Sequence, residues 1–165
     1  SGLLQGPEVT SGAAQGSTLR AATETDFEPL LALSIRAMRA DLERIGRFDP
    51  DRRRARMRAG FDPATMRVVE VGDALAGCIA VQTAADHVEI HSFYLDPPLQ
   101  GRGLGSAVLH RVLAPHGHLP CRIEVVKQSP ALRFWQAMGF RAVREQEFDW
   151  FCERPANLGA GAPGG

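Results

Sequence analysis

The chain has 165 residues, 44% of them hydrophobic and 23% charged, enough for one globular domain with a core of its own. Nineteen basic residues balance nineteen acidic ones, which argues against a general binder of nucleic acid or other polyanions. No run approaches the roughly 18 apolar residues of a membrane span, and the start lacks the charged-then-apolar pattern of a secretory signal.

Residues 1–17 and 155–165 are rich in Gly, Ala, Ser and Pro without periodicity, so they are expected to be disordered ends around one domain at 18–154. Thr18–Ala22 reads as a short strand. Asp26 then stands as a cap before Leu30, Leu31, Ile35, Met38 and Leu42, whose spacing is helical. Asp49-Pro50 is a second start signal, because proline's missing N–H is not needed at the first helical position. The helix it opens, about Pro50 to Ala59, is dense in arginine. Met66–Val71 and Leu75–Gln82 flank Val-Gly-Asp-Ala and read as a hairpin. His87–Leu95 is a third long strand, ended by Asp96-Pro97-Pro98 because proline cannot donate to a ladder. Gln100–Ala114 reads as helix, Cys121–Lys127 as strand and Ser129–Met138 as helix closed by Gly139. Phe140–Arg144 and Glu147–Cys152 finish the chain as strands. The fold class is therefore mixed α/β.

Between strand and helix lies Gln100-Gly101-Arg102-Gly103-Leu104-Gly105-Ser106. Glycines let a ligand come close to the backbone. The first N–H groups of a helix lack partners, and together with the positive end of the helix dipole they suit a pyrophosphate. A nucleoside-triphosphate loop would need lysine before Ser106. A dinucleotide fold finds an acid at the right distance in Glu124, but its glycines should follow the strand directly and read G-x-G-x-x-G. Both readings fail, and a plain tight turn remains the bland alternative.

Tyr94-Leu95-Asp96-Pro97 followed by Gln100-x-x-Gly103-x-Gly105 resembles the Q/R-x-x-G-x-G/A acetyl-CoA motif of the GNAT-type N-acetyltransferases. The segment Ser129-Pro130-Ala131-Leu132-Arg133-Phe134-Trp135-x-x-x-Gly139-Phe140 is similar to the family's N-x-A-x-x-F-Y-x-x-x-G-F. The likeness is strong over residues 66–153 and architectural before them. It implies a GNAT-like, mostly antiparallel sheet with a splayed parallel pair at its centre, flanked by helices. It also implies acetyl-CoA as co-substrate, no metal, and a nucleotide site of Phe93, Tyr94, Leu95, Gln100, Gly101, Arg102, Gly103, Leu104, Gly105, Ser106, Ser129 and Trp135. Two positions depart from the family. Ser129 replaces the usual asparagine, and Trp135 replaces a tyrosine proposed in many relatives to protonate the leaving thiolate. A thiol with a pKa near 8.5 leaves acceptably without an acid, and Tyr94, the single tyrosine, stands as a substitute.

Acetyl transfer to nitrogen needs a neutral amine, whereas an amine with a pKa near 10.4 is mostly protonated at pH 7. A base is therefore useful. Strict alternation places His87, Glu89, His91 and Phe93 on one face of their strand and Val88, Ile90 and Ser92 on the other. By resemblance, Glu89 falls where histone-acetyltransferase-like members keep a catalytic glutamate. His87 and Glu89 occupy the positions of a histidine pair in arylalkylamine N-acetyltransferases. The catalytic expectation is Glu89, then His87 and His91, against the bland reading of a surface acid beside a solvated histidine. The family's oxyanion donors are backbone amides, here those of Phe93–Leu95.

From Arg36 to Arg58, nine arginines face four acids, a local balance of +5. This is either a solvated basic face or the border of a site for an acceptor bearing carboxylate or phosphate. Cys78, Cys121 and Cys152 form no C-x-x-C pair and stand beside no evident base, so they read as reduced cytoplasmic thiols, and a covalent relay is disfavoured. The leading function is transfer of acetyl from acetyl-CoA to a primary amine, small-molecule or peptide, in a ternary complex. The competing readings are a non-catalytic CoA-binding module and an interaction domain built on the arginine helix. No membrane partner is expected, nucleic acid is disfavoured, and a homodimer stays open.

Overall fold

The structure is a computed structural model that describes residues 16–157. Its elements are β1 (Ser17–Ala21), α1 (Phe27–Arg44), α2 (Pro50–Gly60), β2 (Met66–Val71), β3 (Ala74–Thr83), β4 (Val88–Leu95), α3 (Leu104–Leu113), β5 (Cys121–Val126), α4 (Ala131–Ala137), β6 (Arg141–Glu145) and β7 (Asp149–Arg154). They form one seven-stranded sheet in the order β1-β2-β3-β4-β5-β7-β6. Every neighbouring pair is antiparallel except β4 and β5. Those two are parallel because the α3 crossover returns the chain to the starting end of the sheet.

The expected disorder of the two ends falls mostly on residues 1–15 and 158–165, which lie outside the described part. Ser17, counted with the first tail, is buried and pairs with Val71 as the start of β1. At the other end Asn157 N–H donates to the Gly117 carbonyl at 2.6 Å. Asp26 does not cap α1 with its side chain. Instead its carboxylate accepts from the Thr23 N–H at 2.8 Å and from both Nη atoms of Arg20 at 2.9 Å, so it ties β1 to the helix entrance. Arg20 holds this carboxyl down at about 2. Asp49 behaves as expected, accepting from the Asp51 and Arg52 N–H groups ahead of Pro50.

Helices cover both faces of the sheet. On one face α3 and α4 bury Leu104, Val108, Leu109, Leu113 and Trp135 against Ile79, Ile90 and Ile123. Phe93, Phe134 and Phe140 surround Trp135 at ring-centroid distances of 5.7, 5.1 and 5.1 Å. On the other face α1 and α2 bury Phe27, Leu30, Leu31, Met57 and Phe61 against Met66, Val68, Cys78 and Ala80. The apolar stripe of α1 then continues past the core. Met38 and Leu42, the last residues of that stripe, are half-buried and line a cavity.

Candidate active site

β4 and β5 pair only at Val88↔Cys121 and Glu89↔Arg122. Beyond Glu89 they separate, and the β5-facing edge of β4 runs on to Leu95 without a ladder partner. The expected splay is present, with Glu89 at its fork. On its other edge β4 stays paired with β3, and Gly77 lies opposite Leu95. A Cβ on Gly77 would come within 2.1 Å of the Tyr94 carbonyl oxygen, so only glycine allows that approach.

The alternation expected along β4 does not hold. Ala80 pairs with Ser92, but Val81 pairs with Ile90, which leaves His91 as an extra residue in a bulge. Side chains after the bulge change sides. Glu89, Ser92 and Tyr94 therefore share the face of their partners Gln82, Ala80 and Cys78, toward α1 and α2. Phe93, expected beside Glu89, turns to the opposite face and packs on Phe134 and Trp135.

The cavity on the α1/α2 side has a volume of about 400 Å³. Glu89, His91, Ser92 and Tyr94 line it from β4. Arg122 and Glu124 line it from β5, Asp149 from β7, and Arg52, Arg53 and Arg56 from α2. Glu89 Oε1 lies 3.5 Å from His91 Nε2, and its Oε2 lies 3.8 Å from His87 Nε2. His91 Nε2 also meets Gln82 Oε1 at 2.9 Å. His87 does not line the cavity. Its Nδ1 pairs with Asp86 at 2.7 Å, an interaction that lowers the Asp86 carboxyl. From β4 the arrangement puts one carboxylate and one imidazole on the cavity, with a second imidazole behind them. Such a group can take a proton from a bound amine, directly or through water.

On the other side of the fork is the glycine loop. Expected to be helical from Gln100, it is a bend until Leu104, because Gly101 and Gly103 take φ of +77° and +83°. Side-chain-bearing residues rarely adopt that region. Gly103 is the N-cap of α3 and its carbonyl accepts from Ala107 N–H at 3.1 Å, so the N–H groups of Leu104, Gly105 and Ser106 precede the helical ladder. Gly105 is small for a packing reason, since a Cβ there would meet Phe134 at 3.3 Å and Leu95 at 3.4 Å. Gln100 donates its side-chain amide to the Leu95 carbonyl at 2.9 Å and pins the loop to the strand end. Arg102 is exposed at the loop's tip, and Leu104 is buried in the core.

Three expected nucleotide-site residues have side chains engaged elsewhere. Ser129 Oγ donates to Asp41 of α1 and accepts from Ala131 N–H at 3.0 Å, so it takes up the first N–H of α4 and ties that end to α1. Trp135 is buried among phenylalanines on the α3/α4 face. Tyr94 points the other way, where its hydroxyl accepts from Arg53 Nη2 at 3.0 Å. Burial pushes the Tyr94 phenol up, against an opposing pull from the Arg53 charge. Burial also raises the Cys78 thiol to about 12 and the Cys121 thiol to about 11, which removes both as nucleophiles at neutral pH. Arg53, Arg56 and Gln82 were not singled out from the sequence. One signal was available for Arg53. It precedes the apolar Met57 by four residues, so the two share the inward face of α2.

Residues 32–140 match the acetyltransferase (GNAT) family. The chain is 33% identical over 133 residues to a mycothiol acetyltransferase of Clavibacter sepedonicus, covering 76% of this chain and 43% of that protein. It thus spans less than half the length of that curated relative. Among solved structures it is similar to the PaiA N-acetyltransferase of Thermoplasma acidophilum in complex with coenzyme A. The TM-score is 0.68 at 18% identity, over 84% of this chain and 98% of that one. The ribosomal-protein-S18-alanine N-acetyltransferase of Escherichia coli gives a TM-score of 0.64 at 15% identity, over 85% and 94% of the two chains. These structures share the fold. The sequence match over most of the domain, the fork in the sheet and the glycine loop that follows it agree: the chain belongs to the acetyltransferase (GNAT) family.

Proposed function

We propose that the chain moves an acetyl group from acetyl-CoA to a primary amine, by direct attack in a ternary complex, with Glu89 as the base. The observation that carries this reading is the position of Glu89 at the fork. It borders the cavity on one side and, on the other, the unpaired edge of β4 that leads to the glycine loop.

The residues fit coenzyme A. Gly101 and Gly103 bend the chain just before α3, whose first N–H groups precede the helical ladder and suit a pyrophosphate, and the free β4 edge suits the pantetheine arm. Acetyl-CoA supplies an activated thioester. The chain supplies the rest: backbone donors of Phe93–Leu95 near the carbonyl oxygen, and Glu89 to take the amine proton, with His91 and His87 as its neighbours. The raised Cys78 and Cys121 thiols support direct attack over a covalent relay. With Trp135 buried, departure of the thiolate has no acid from α4, and Tyr94 holds Arg53 on the cavity side. The second reading, a CoA-binding module without catalysis, draws on that loss. A reducing, cytoplasmic setting is part of the proposal, supported by three buried, unpaired cysteines. Among the described residues no helix is long and apolar enough to cross a membrane.

Release of free CoA thiol across a panel of amines tests the reading, with Glu89→Gln beside the wild type. Turnover by the variant should fall about 10²–10⁴-fold at neutral pH and recover as pH rises, because more amine is then neutral without help. Its affinity for CoA should be unchanged. Wild-type turnover in Glu89→Gln, with chemistry limiting, would remove Glu89 as base. Absence of thiol release with every amine, despite CoA binding, would favour the non-catalytic module.

A further inference from the structure

The nine arginines between Arg36 and Arg58 fall into two groups that the sequence does not distinguish. Five are neutralised by carboxylates at 2.8–3.1 Å: Arg36 by Asp96, Arg39 by Glu43, Arg44 by Asp41, Arg54 by Glu28 and Arg58 by Glu24. Those are structural. The others lie along the cavity, where Arg52 has only a 3.8 Å contact with Asp49 and Arg47 stacks on Phe148 at 4.1 Å. Arg53 and Arg56 have no carboxylate partner among the described residues. Arg53 is only 9% exposed, and its buried Nε donor has no acceptor. A guanidinium taken out of water beside one phenol and no anion is costly unless something else supplies the charge.

The opposite wall of the same cavity carries Glu89, Glu124 and Asp149 on the sheet, beside one cation, Arg122, whose charge is met by Glu153 at 3.0 Å. A cavity of about 400 Å³ with cations on α2 and carboxylates on the strands is complementary to a small molecule carrying both an ammonium and an anion. The acceptor's ammonium would face Glu89, the group that deprotonates it, while the anion would face α2. Planar, multi-donor guanidinium groups suit carboxylate and phosphate oxygens alike. We propose that the acceptor is a small zwitterionic amine whose carboxylate or phosphate is held by Arg53 and Arg56. This rests on the acetyl-transfer reading above and names its substrate class.

The test measures thiol release from acetyl-CoA with amino acids against their α-carboxamides, and with phosphoethanolamine against ethanolamine. The two pairs separate carboxylate from phosphate as the preferred anion. In at least one pair the charged member should be favoured about 10- to 100-fold in kcat/KM. Arg56→Gln, at an exposed position, should remove most of that preference, chiefly by raising KM for the charged member. Arg53→Gln should do the same where it folds. Arg54→Gln, a charge change on the neutralised outer face, should alter neither member. Equal or better use of both neutral amines, or equal losses on charged and neutral members in Arg56→Gln, would overturn the assignment while leaving acetyl transfer intact. A second measurement needs no turnover: calorimetric binding of acetate and of inorganic phosphate to the CoA-saturated protein. Binding lost in Arg56→Gln supports the anion site even if no amine is acetylated, which would count against acetyl transfer alone. No binding of either ion by the wild type counts against the anion site.

Discussion

On the α3/α4 side of β4 the side chains are aliphatic and aromatic and touch one another. On the α1/α2 side, beyond Met57, charged side chains mix with apolar ones around a cavity. Under the proposed function the two sides take different partners. The packed side holds the backbone of the glycine loop still: Leu104 is buried, Gly105 fits against Phe134, and Gln100 is bonded to Leu95. A nucleotide common to a whole family can be bound by such backbone donors, whatever the side chains. The cavity side uses side chains throughout, so its chemistry can change with each acceptor while the sheet stays the same. The bulge at His91 keeps these roles apart, since it sends Phe93 into the packed side and leaves Ser92 and Tyr94 with Glu89 on the other.

The largest effect should come from the loop. Gly103→Val places a branched side chain at φ +83°, where the α3 N–H groups are presented, so the CoA-induced rise in Tm should vanish. Gly72 also has positive φ, at +61°, but stands in open space in the β2–β3 turn. Gly72→Ala should lower Tm and keep the CoA-induced rise. If both variants behave alike, the loop's role is conformational only.

Next comes Trp135→Ala, which empties the centre of the aromatic cluster and should cost about 3–5 kcal/mol in urea unfolding. Leu42→Ala, at the half-exposed cavity wall, should cost clearly less, and comparable losses would erase the contrast between the two sides.

The smallest effect concerns the entrance to α1. Asp26 is held at about 2 against an ordinary 3.8, chiefly by its hydrogen bonds from Arg20. A depressed carboxyl stabilises the fold above its unfolded pKa and loses that contribution as pH falls through the folded one. With Arg20 partly exposed, the gain is of order 1–2 kcal/mol. Asp26→Asn should lose that much at pH 7, and the gap to wild type should close between about pH 4 and pH 2. A gap that is constant with pH would mean that the contact is steric.

The strands, both arginine-flanked helices and the glycine loop could be read from the chain because their causes are local. Apolar spacing, Asp49 before Pro50 and glycines after a strand each act within a few residues. Glu89 was picked out by resemblance, through its spacing along the chain from Gly103, and its role as base belongs to the proposal. What the tertiary structure decided depends on partners far away in sequence. The bulge at His91 comes from how β3 and β4 pair, and it reversed the expected side of Phe93. Arg36 is neutralised by Asp96, 60 residues on, and Arg54 by Glu28, 26 residues back, whereas Arg53 meets only Tyr94. Identical side chains in one helix thus became structural or left with charge to spare, according to which carboxylates the folded sheet and helices brought within about 3 Å of them.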